Sequence, residues 1–262
     1  MRITDIRCTL VNAGWRNWTY VQVYTDDGFV GLGEGTVRSR EHAVVGAVGD
    51  MSRVLVGKDP RTITSHVQTL YRDFHKRGGV VMMSAIGGIE MALWDIVGQW
   101  LGQPIATLLG GRVRDEAWAY HNGWADGAAD VDDLAKRAGD AVADGRVRAL
   151  KWNPFAGLDG WPTPPAARRA VAAVRAVREA VGDDVELMIE AHGLFAPAAA
   201  VRMTEALAPM RPFWFEEPIP PEDVASMARV RERSAIAIAA GERLFTRYEF
   251  ADLIEARAVD IL

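Results

Sequence analysis

The first part of the chain changes from an alternating to a helical pattern of apolar and polar residues. Residues 3–11 alternate as a half-buried strand does, and residues 20–33 predict a hairpin because Asp27-Gly28 separates two apolar runs. Helical spacing follows, and it predicts helices over residues 40–56, 62–75 and 84–101. Strands followed by helices indicate a small α+β domain over residues 1–115.

From residue 116 onward, short apolar runs alternate with amphipathic helical patterns. The predicted strands are 117–120, 149–152, 187–190, 213–216, 236–240 and 259–262. The predicted helices between them are 131–143, 165–181, 197–208, 222–233 and 246–256. This repeated unit predicts a parallel sheet, because each strand must cross back through a helix before the next strand begins.

Two folds contain this repeated unit: a doubly wound open sheet and a (β/α)₈ barrel. The chain lacks the glycine-rich phosphate loop that follows the first strand of a dinucleotide-binding sheet, which favours the barrel. Residues 116–262 supply five units and the start of a sixth strand, whereas a closed barrel has eight. The predicted fold class is therefore α/β, with an N-terminal α+β domain followed by an incomplete TIM-type (β/α) barrel over 116–262.

An incomplete barrel has consequences for the whole chain. It would leave two strand edges unpaired and an apolar interior open to water. We therefore expect the 262 residues to be a C-terminally truncated fragment, or a shortened product, of a longer enzyme, and we expect the chain to form a homo-oligomer. A folded monomer with a closed barrel would contradict this expectation.

Composition and charge narrow the class of protein. The formal net charge is −5, with acidic and basic residues scattered along the chain, so nucleic acid is not an expected partner. The single cysteine, Cys8, excludes an internal disulfide and is consistent with a reducing compartment. The N-terminus lacks the apolar core of a signal peptide, and no apolar run approaches the roughly 20 residues of a membrane helix. We expect a soluble cytoplasmic protein with no membrane partner.

Three consecutive predicted strands each end in a glutamate, at Glu190, Glu216 and Glu242, and each glutamate lies 26 positions after the one before it. Because one strand–helix unit is about that long, the equal spacing predicts three carboxylates at equivalent heights at the C-terminal mouth of the barrel. Such carboxylates would repel one another unless a cation neutralised them, and oxygen ligands of this kind suit Mg²⁺ or Mn²⁺. The alternative is that each glutamate merely begins a helix, where negative charge is favourable.

Further polar side chains follow the predicted strands. Lys151 and Asn153 lie two apart, so both can point into the mouth, where a lysine would hold a substrate carboxylate. His192 lies two residues beyond the first of the three glutamates and can transfer a proton near neutral pH. A surface lysine and a histidine packed in a loop are the alternatives. His121 and Asn122 are weaker candidates.

Several motifs along the chain together resemble a known family. Those of the second half are Lys-x-Asn at 151–153, Glu-x-His-Gly at 190–193, Phe-Glu-Glu-Pro at 215–218 and Ala-Gly-Glu-Arg at 240–243. Those of the first half are Arg-Gly-Gly at 77–79, Ser-Ala-Ile at 84–86, Ala-Leu-Trp-Asp at 92–95 and Leu-Gly-Gly at 109–111. The chain resembles, over its full length, the mandelate racemase and muconate lactonizing branch of the enolase superfamily, and most closely the galactonate dehydratase-like acid-sugar dehydratases.

The resemblance implies a metal site. Glu190, Glu216 and Glu242 would bind Mg²⁺, or alternatively Mn²⁺, and Glu217 would lie beside them. The ion would hold the carboxylate of an aldonic acid and stabilise the enediolate that forms when the α-proton leaves. The expected partner is therefore a small acid-sugar substrate.

The resemblance also implies roles in proton transfer and substrate binding. His192 would protonate the departing β-hydroxyl to give a 2-keto-3-deoxy acid, and Lys151 and Asn153 would contact the substrate. The N-terminal domain would cap the barrel, and the loop that carries Trp15 and Arg16 would close over the sugar. Simple packing between domains is the alternative for the tryptophan.

Two departures from the family pattern leave other functions open. Related racemases carry a second lysine as a base where this chain has Asn153, which favours dehydration over racemisation or epimerisation. The dehydratase base is a His–Asp pair from later strands, and the chain ends at Leu262 before it would appear. A non-catalytic metal-binding remnant is therefore a further alternative. A glycosidase barrel, which also uses paired carboxylates, fits the three evenly spaced glutamates less well.

Overall fold

The computed structural model of the chain describes residues 1–72 and 77–262. These residues form two compact units. One comprises Met1–Asp115 with Leu244–Thr246, and the other comprises Glu116–Arg243 with Arg247–Leu262. The first contains a three-stranded antiparallel sheet and the second a four-stranded parallel sheet.

The sheet of the first unit has the order β1-β2-β3. β1 spans Ile3–Asn12, β2 spans Asn17–Thr25 and β3 spans Val30–Glu34. The turn between β2 and β3 contains Gly28 at φ 85°, a left-handed conformation that glycine adopts without steric cost. The predicted hairpin is confirmed, because a tight turn between two alternating runs is encoded locally.

The helices described in the first unit are α1 (Glu41–Leu55), α2 (Ile63–Arg72), α3 (Val80–Leu101) and α4 (Ile105–Leu108). The first three confirm predicted helices, and α4 was not predicted. α3 begins four residues earlier than expected, directly after Gly79, whose φ of 79° is not helical. Residues 73–75 of the second predicted helix lie outside the described residues.

α3 lies directly against β3 in the first unit. A Cβ at Gly31 would fall 1.9 Å from the carbonyl oxygen of Ala92, and one at Gly33 would fall 2.0 Å from that of Gly88, so only glycine permits this approach. By length and composition α3 is also apolar enough to cross a membrane, and the prediction that no apolar run approaches this length is therefore wrong. The core helix of a soluble protein meets the same criterion, because it too must be apolar on most of its surface.

The sheet of the second unit has the order β4-β5-β6-β7, with all neighbours parallel. Its strands are β4 (Ala149–Trp152), β5 (Glu186–Glu190), β6 (Trp214–Glu216) and β7 (Ile238–Ala239). Its helices are α5 (Val131–Val142), α6 (Pro164–Val181), α7 (Pro197–Leu207), α8 (Val224–Arg233) and α9 (Arg247–Glu255), with a 3₁₀ turn at Ala208–Met210. This arrangement confirms an N-terminal α+β domain followed by a domain of the α/β barrel type.

The two outermost predicted strands, 117–120 and 259–262, are not strands in the structure. Each edge of the parallel sheet instead has a single bridging residue, His121 beside Leu150 and Ile261 beside Ala239. A strand requires successive backbone pairs with a neighbour, and residues 117–120 have none. An apolar run by itself does not supply that neighbour, which is why the sequence pattern overestimated both edges.

The two faces of the parallel sheet differ in chemistry, and this difference positions the functional site. Phe215 in β6 is fully buried and packs with Phe155 and Phe195, with ring centroids 5.8 Å and 6.2 Å away. Because side chains alternate along a strand, Trp214 and Glu216 point to the opposite face. The sheet therefore has an aromatic core on one side and a polar site on the other.

Candidate metal centre

Three carboxylates converge at the C-terminal ends of the parallel strands. Glu190 is the last residue of β5, Glu216 is the last residue of β6, and Glu242 follows β7. One oxygen from each of the three lies within 4.8 Å of the others. The sequence-based pattern thus identified residues that the fold brings together.

The three glutamates do not lie at equal heights, which corrects the expectation from their 26-residue spacing. Glu190 and Glu216 are register partners, but the partner of Glu216 on β7 is Ala239, three residues before Glu242. Glu242 accordingly reaches the cluster from the loop after β7, with 47% of its side chain exposed. The side chains of Glu190 and Glu216 are only 2% and 12% exposed.

Lys151, on β4, forms ion pairs with two of these carboxylates. Its Nζ lies 2.9 Å from Oε2 of Glu190 and 2.6 Å from Oε2 of Glu216. Burial lowers the pKa of Lys151, but the hydrogen bonds to Glu216 and Glu190 outweigh it, so the pKa is raised overall. The ammonium also lies 5.6 Å from the ring centroid of Tyr120. Lys151 therefore stays charged in the site.

The single ammonium of Lys151 does not balance the two buried carboxylates of Glu190 and Glu216. Among the described residues the nearest cation to Glu242 is Arg243, whose Nε lies 3.9 Å from Oε1 of Glu242. Burial and the neighbouring Glu216 raise the pKa of Glu190 to about 8. Trp214 Nε1 donates to Oε2 of Glu216 at 3.0 Å, so the indole and the ammonium approach the same oxygen of that carboxylate. Three carboxylate donors with a cation deficit match the ligand chemistry of a hard divalent ion.

His192 lies immediately beside the carboxylates. Its backbone N–H donates to Oε1 of Glu190 at 2.8 Å, and its φ is 51°. The Asn153 Oδ1 accepts from the backbone N–H of Phe155 at 2.8 Å, which orients the Asn153 Nδ2 towards His192 Nδ1, 3.1 Å away. Nδ1 then accepts a hydrogen bond, so the ring proton of the neutral imidazole lies on Nε2. Burial lowers the pKa of His192.

Glu217 and Arg243 complete the cluster, and the sequence pattern gave Arg243 no role. Glu217 is fully buried at φ 39°, and its Oε2 lies 2.9 Å from Nε of Arg243. Burial raises the pKa of Glu217 to about 7, although Arg243 opposes the shift. Arg243 Nη2 also donates to the backbone carbonyl of His192 at 2.8 Å. Its place directly after Glu242 was the available signal, but its reach across the loops was not visible in the sequence.

The remaining candidates are not among the three carboxylates of the cluster. Trp15 and Arg16 belong to the first unit, where the guanidinium stacks 3.6 Å from the indole centroid, and both line an open cleft of about 390 Å³. Their role in substrate binding stays a prediction. His121 bridges to β4 through its backbone, and Asn122 Oδ1 accepts from the N–H of Gly123 at 2.9 Å, which is a local turn contact.

Two protein-family descriptions match this chain over separate ranges of residues. Residues 6–110 match the mandelate racemase / muconate lactonizing enzyme N-terminal domain, and residues 133–262 match the enolase C-terminal domain-like family. The first range lies in the antiparallel unit, and the second contains the three converging glutamates. The two matches together cover most of the chain.

Two named relatives are acid-sugar dehydratases. The chain is 38% identical over 245 residues to D-galactonate dehydratase of Variovorax paradoxus (strain S110), an alignment that covers 94% of this chain and 63% of that protein. It is 38% identical over 253 residues to D-gluconate dehydratase of Thermoproteus tenax, covering 96% of this chain and 51% of that protein. The chain thus spans between half and two thirds of the length of these relatives.

Solved structures share the fold. A mandelate racemase/muconate lactonizing enzyme from Sulfitobacter sp. superposes with a TM-score of 0.90 at 32% identity, covering 99% of this chain and 70% of that one. A member of the enolase superfamily from Salmonella Typhimurium superposes with a TM-score of 0.93 at 28% identity, covering 99% of this chain and 72% of that one. On these matches the chain belongs to the mandelate racemase/muconate lactonizing enzyme family of the enolase superfamily.

Proposed function

We propose that this chain binds Mg²⁺ through Glu190, Glu216 and Glu242 and dehydrates an aldonic acid to a 2-keto-3-deoxy acid. The observation that carries the proposal is the convergence of three carboxylate oxygens within 4.8 Å, with a histidine hydrogen-bonded beside them. The named dehydratase relatives support the substrate class. The cytoplasmic location and the homo-oligomeric state stay predictions.

The proposed ligands suit a hard divalent cation better than a softer metal. All three donors are carboxylates, and no cysteine or histidine of the described residues joins the cluster. When bound, Mg²⁺ supplies positive charge that favours ionisation of the acid next to its carboxylate. Mn²⁺ has the same ligand preference and is the expected substitute.

Lys151 and Asn153 are the proposed substrate contacts. The Lys151 ammonium is held at the carboxylate cluster by its two ion pairs, so it can also pair with a carboxylate or hydroxyl oxygen of the substrate. The amide of Asn153 is fixed by the N–H of Phe155, and it cannot take up a proton. Asn153 therefore orients His192 and is not a second base.

His192 is the proposed general acid. Its Nε2 carries the ring proton when Nδ1 accepts from Asn153, and Nε2 is the atom that would give that proton to the β-hydroxyl. In the elimination the Cα–H and Cβ–OH bonds break, water leaves, and the resulting enol becomes the 2-keto-3-deoxy acid. We assign no residue of this chain as the base that takes the α-proton.

Turnover of an aldonic-acid panel tests the proposal. We expect release of a 2-keto-3-deoxy acid with Mg²⁺ that EDTA abolishes, and at least a hundredfold loss in His192→Gln and in Glu216→Gln. The matched controls are His42→Gln and Glu205→Gln, which change exposed residues and should leave the rate unchanged. Mg²⁺ binding without turnover of any acid sugar would contradict the proposed reaction and favour a metal-binding protein.

Epimerisation is distinguished from dehydration by reaction in D₂O. A racemase or epimerase exchanges the α-proton for deuterium without losing water, whereas a dehydratase releases the keto acid. Because Asn153 occupies the position beside His192 and cannot act as a base, we expect the keto acid. Deuterium incorporation into recovered substrate, with no keto acid formed, would show that the reaction class is wrong.

A further inference from the structure

The loops after β5 and β6 each contain a residue in a strained backbone conformation. His192 has a φ of 51° and Glu217 has a φ of 39°, and neither is glycine. Residues with side chains hold this left-handed conformation only where the surroundings enforce it. Both loops lie at the carboxylate cluster, so whatever enforces their shape also determines where the His192 ring lies.

The backbone joins these two loops in part. The N–H of Ala191 donates to the carbonyl of Glu216 at 3.0 Å, and that of Gly193 donates to the carbonyl of Glu217 at 2.7 Å. These bonds set the loops side by side, but neither involves the carbonyl of His192 or the buried carboxylate of Glu217.

Arg243, from the loop after β7, makes the two contacts that the backbone leaves unmade. Its Nε lies 2.9 Å from Oε2 of Glu217, and its Nη2 donates to the carbonyl of His192 at 2.8 Å. Its Nη1 lies 3.4 Å from the point where a Cβ of Gly193 would be, so the guanidinium lies across that glycine. One planar group therefore contacts both strained residues and ties three loops together.

We infer that Arg243 is a positioning residue that holds the His192 ring against Asn153 through the His192 carbonyl, with Glu217 as its buried anchor. The inference deepens the proposed function and rests on His192 as the proton donor. The guanidinium contacts its two partners from different nitrogens of a rigid fork. A lysine offers one nitrogen at the end of a flexible chain, so it can replace the charge beside Glu217 but not both contacts at once.

Two variants separate the positive charge that Arg243 places beside Glu217 from the two simultaneous contacts of its guanidinium. Arg243→Lys keeps a positive charge for Glu217, and Arg243→Met removes it. The matched controls are Arg61→Lys and Arg61→Met, because Arg61 has the same 40% side-chain exposure and pairs with Asp59 at 2.6 Å in the first unit. Two properties are measured in EDTA and in Mg²⁺: the thermal midpoint, and the NMR signal of the His192 ring, assigned by its loss in His192→Gln.

We expect Arg243→Lys to keep the thermal midpoint within a few degrees of the parent chain while the His192 ring signal shifts or broadens. Arg243→Met should lower the thermal midpoint and also perturb the His192 ring signal. Both Arg61 variants should leave the His192 ring signal unchanged. Where turnover is measurable, we expect kcat of Arg243→Lys to fall about tenfold to a hundredfold with KM nearly unchanged.

Two results would overturn the inference. One is a His192 signal that is unchanged in a folded Arg243→Lys protein, since the ring position would then not depend on the fork. The other is an equal shift in the Arg61 variants, since the effect would then be nonspecific. The ring signal is independent of turnover, so loss of the proposed reaction in the parent chain leaves this test intact. If the parent chain binds Mg²⁺ but has no activity, a shifted His192 signal in Arg243→Lys would still support the positioning role, whereas the missing activity would refute the proposed dehydratase reaction.

Discussion

Replacing Glu217 by glutamine should change how the stability of the protein depends on pH. Glu217 is fully buried, with one oxygen at 2.9 Å from Arg243 and the other without a hydrogen-bond partner among the described residues. Burial therefore raises the pKa of Glu217 from 4.5 to about 7. Glutamine has a similar shape and does not titrate, so Glu217→Gln removes this one source of pH dependence.

The sign and size of the effect follow from that pKa. Between pH 4.5 and 7 the unfolded chain has lost the Glu217 proton while the folded protein still holds it. Unfolding then releases a proton, so the free energy of unfolding falls as pH rises through this window and is level above it. A rise from 4.5 to about 7 corresponds to about 3 kcal/mol in total.

Urea unfolding in EDTA at a series of pH values from about 4.5 to 8 measures this effect. The quantity to compare at each pH is the difference in free energy of unfolding between Glu217→Gln and the parent chain, because contributions from other titrating groups largely cancel. We expect this difference to move by about 3 kcal/mol in favour of the variant as pH rises. Glu205→Gln, an exposed change on α7, is the control and should show no such movement.

Parallel curves of unfolding free energy against pH for Glu217→Gln and the parent chain would refute the reasoning. If the difference stayed constant within about 0.5 kcal/mol from pH 4.5 to 8, Glu217 would not carry a raised pKa in the folded protein. Arg243 would then compensate the buried carboxylate fully, and burial would not dominate at this position.

Three further predictions concern the carboxylate cluster and the core beneath it. Lys151→Met should lower the free energy of unfolding in EDTA by about 3–5 kcal/mol, because two buried carboxylates lose their counter-ion. For the same reason it should tighten Mg²⁺ binding about tenfold in calorimetry, and weaker binding would contradict it. Trp214→Phe should weaken Mg²⁺ binding about tenfold or more by removing the indole hydrogen bond, whereas the exposed Trp161→Phe should not. Phe215→Ala should cost about 3–5 kcal/mol in chemical denaturation, and an equal cost for Phe213→Ala, whose side chain is 47% exposed, would show that burial is not the cause.

The sequence located most helices and central strands because their patterns are local. The boundaries of α5 and α6 agree with the predicted helices 131–143 and 165–181 within one residue, since apolar spacing and Pro164 at a helix start act within a few residues. The sequence overestimated the extent of the two edge strands, because strand formation depends on contacts that are not local. A strand exists through its neighbour, and residues 117–120 have no neighbour that their own composition could reveal.

The three metal-ligand candidates were found from strand ends and spacing alone, but their geometry was not. Equal intervals of 26 residues predicted equal heights, whereas the register places Glu242 three residues beyond the residue that pairs with Glu216. Helix and loop lengths within a repeated unit can compensate one another, so equal spacing in sequence does not fix equal height in a sheet. The side chain reaches the cluster because it comes from a loop.

The sequence by itself determined which residues are chemically able to form the site: three glutamates, a lysine, an asparagine and a histidine at the ends of parallel strands. Only the tertiary structure decided their pairing. It placed the Lys151 ammonium between two carboxylates, oriented Asn153 towards His192, and extended Arg243 across two loops to a buried glutamate. Such contacts join residues far apart in the chain and depend on distance, burial and backbone strain, which exist only after the chain has folded.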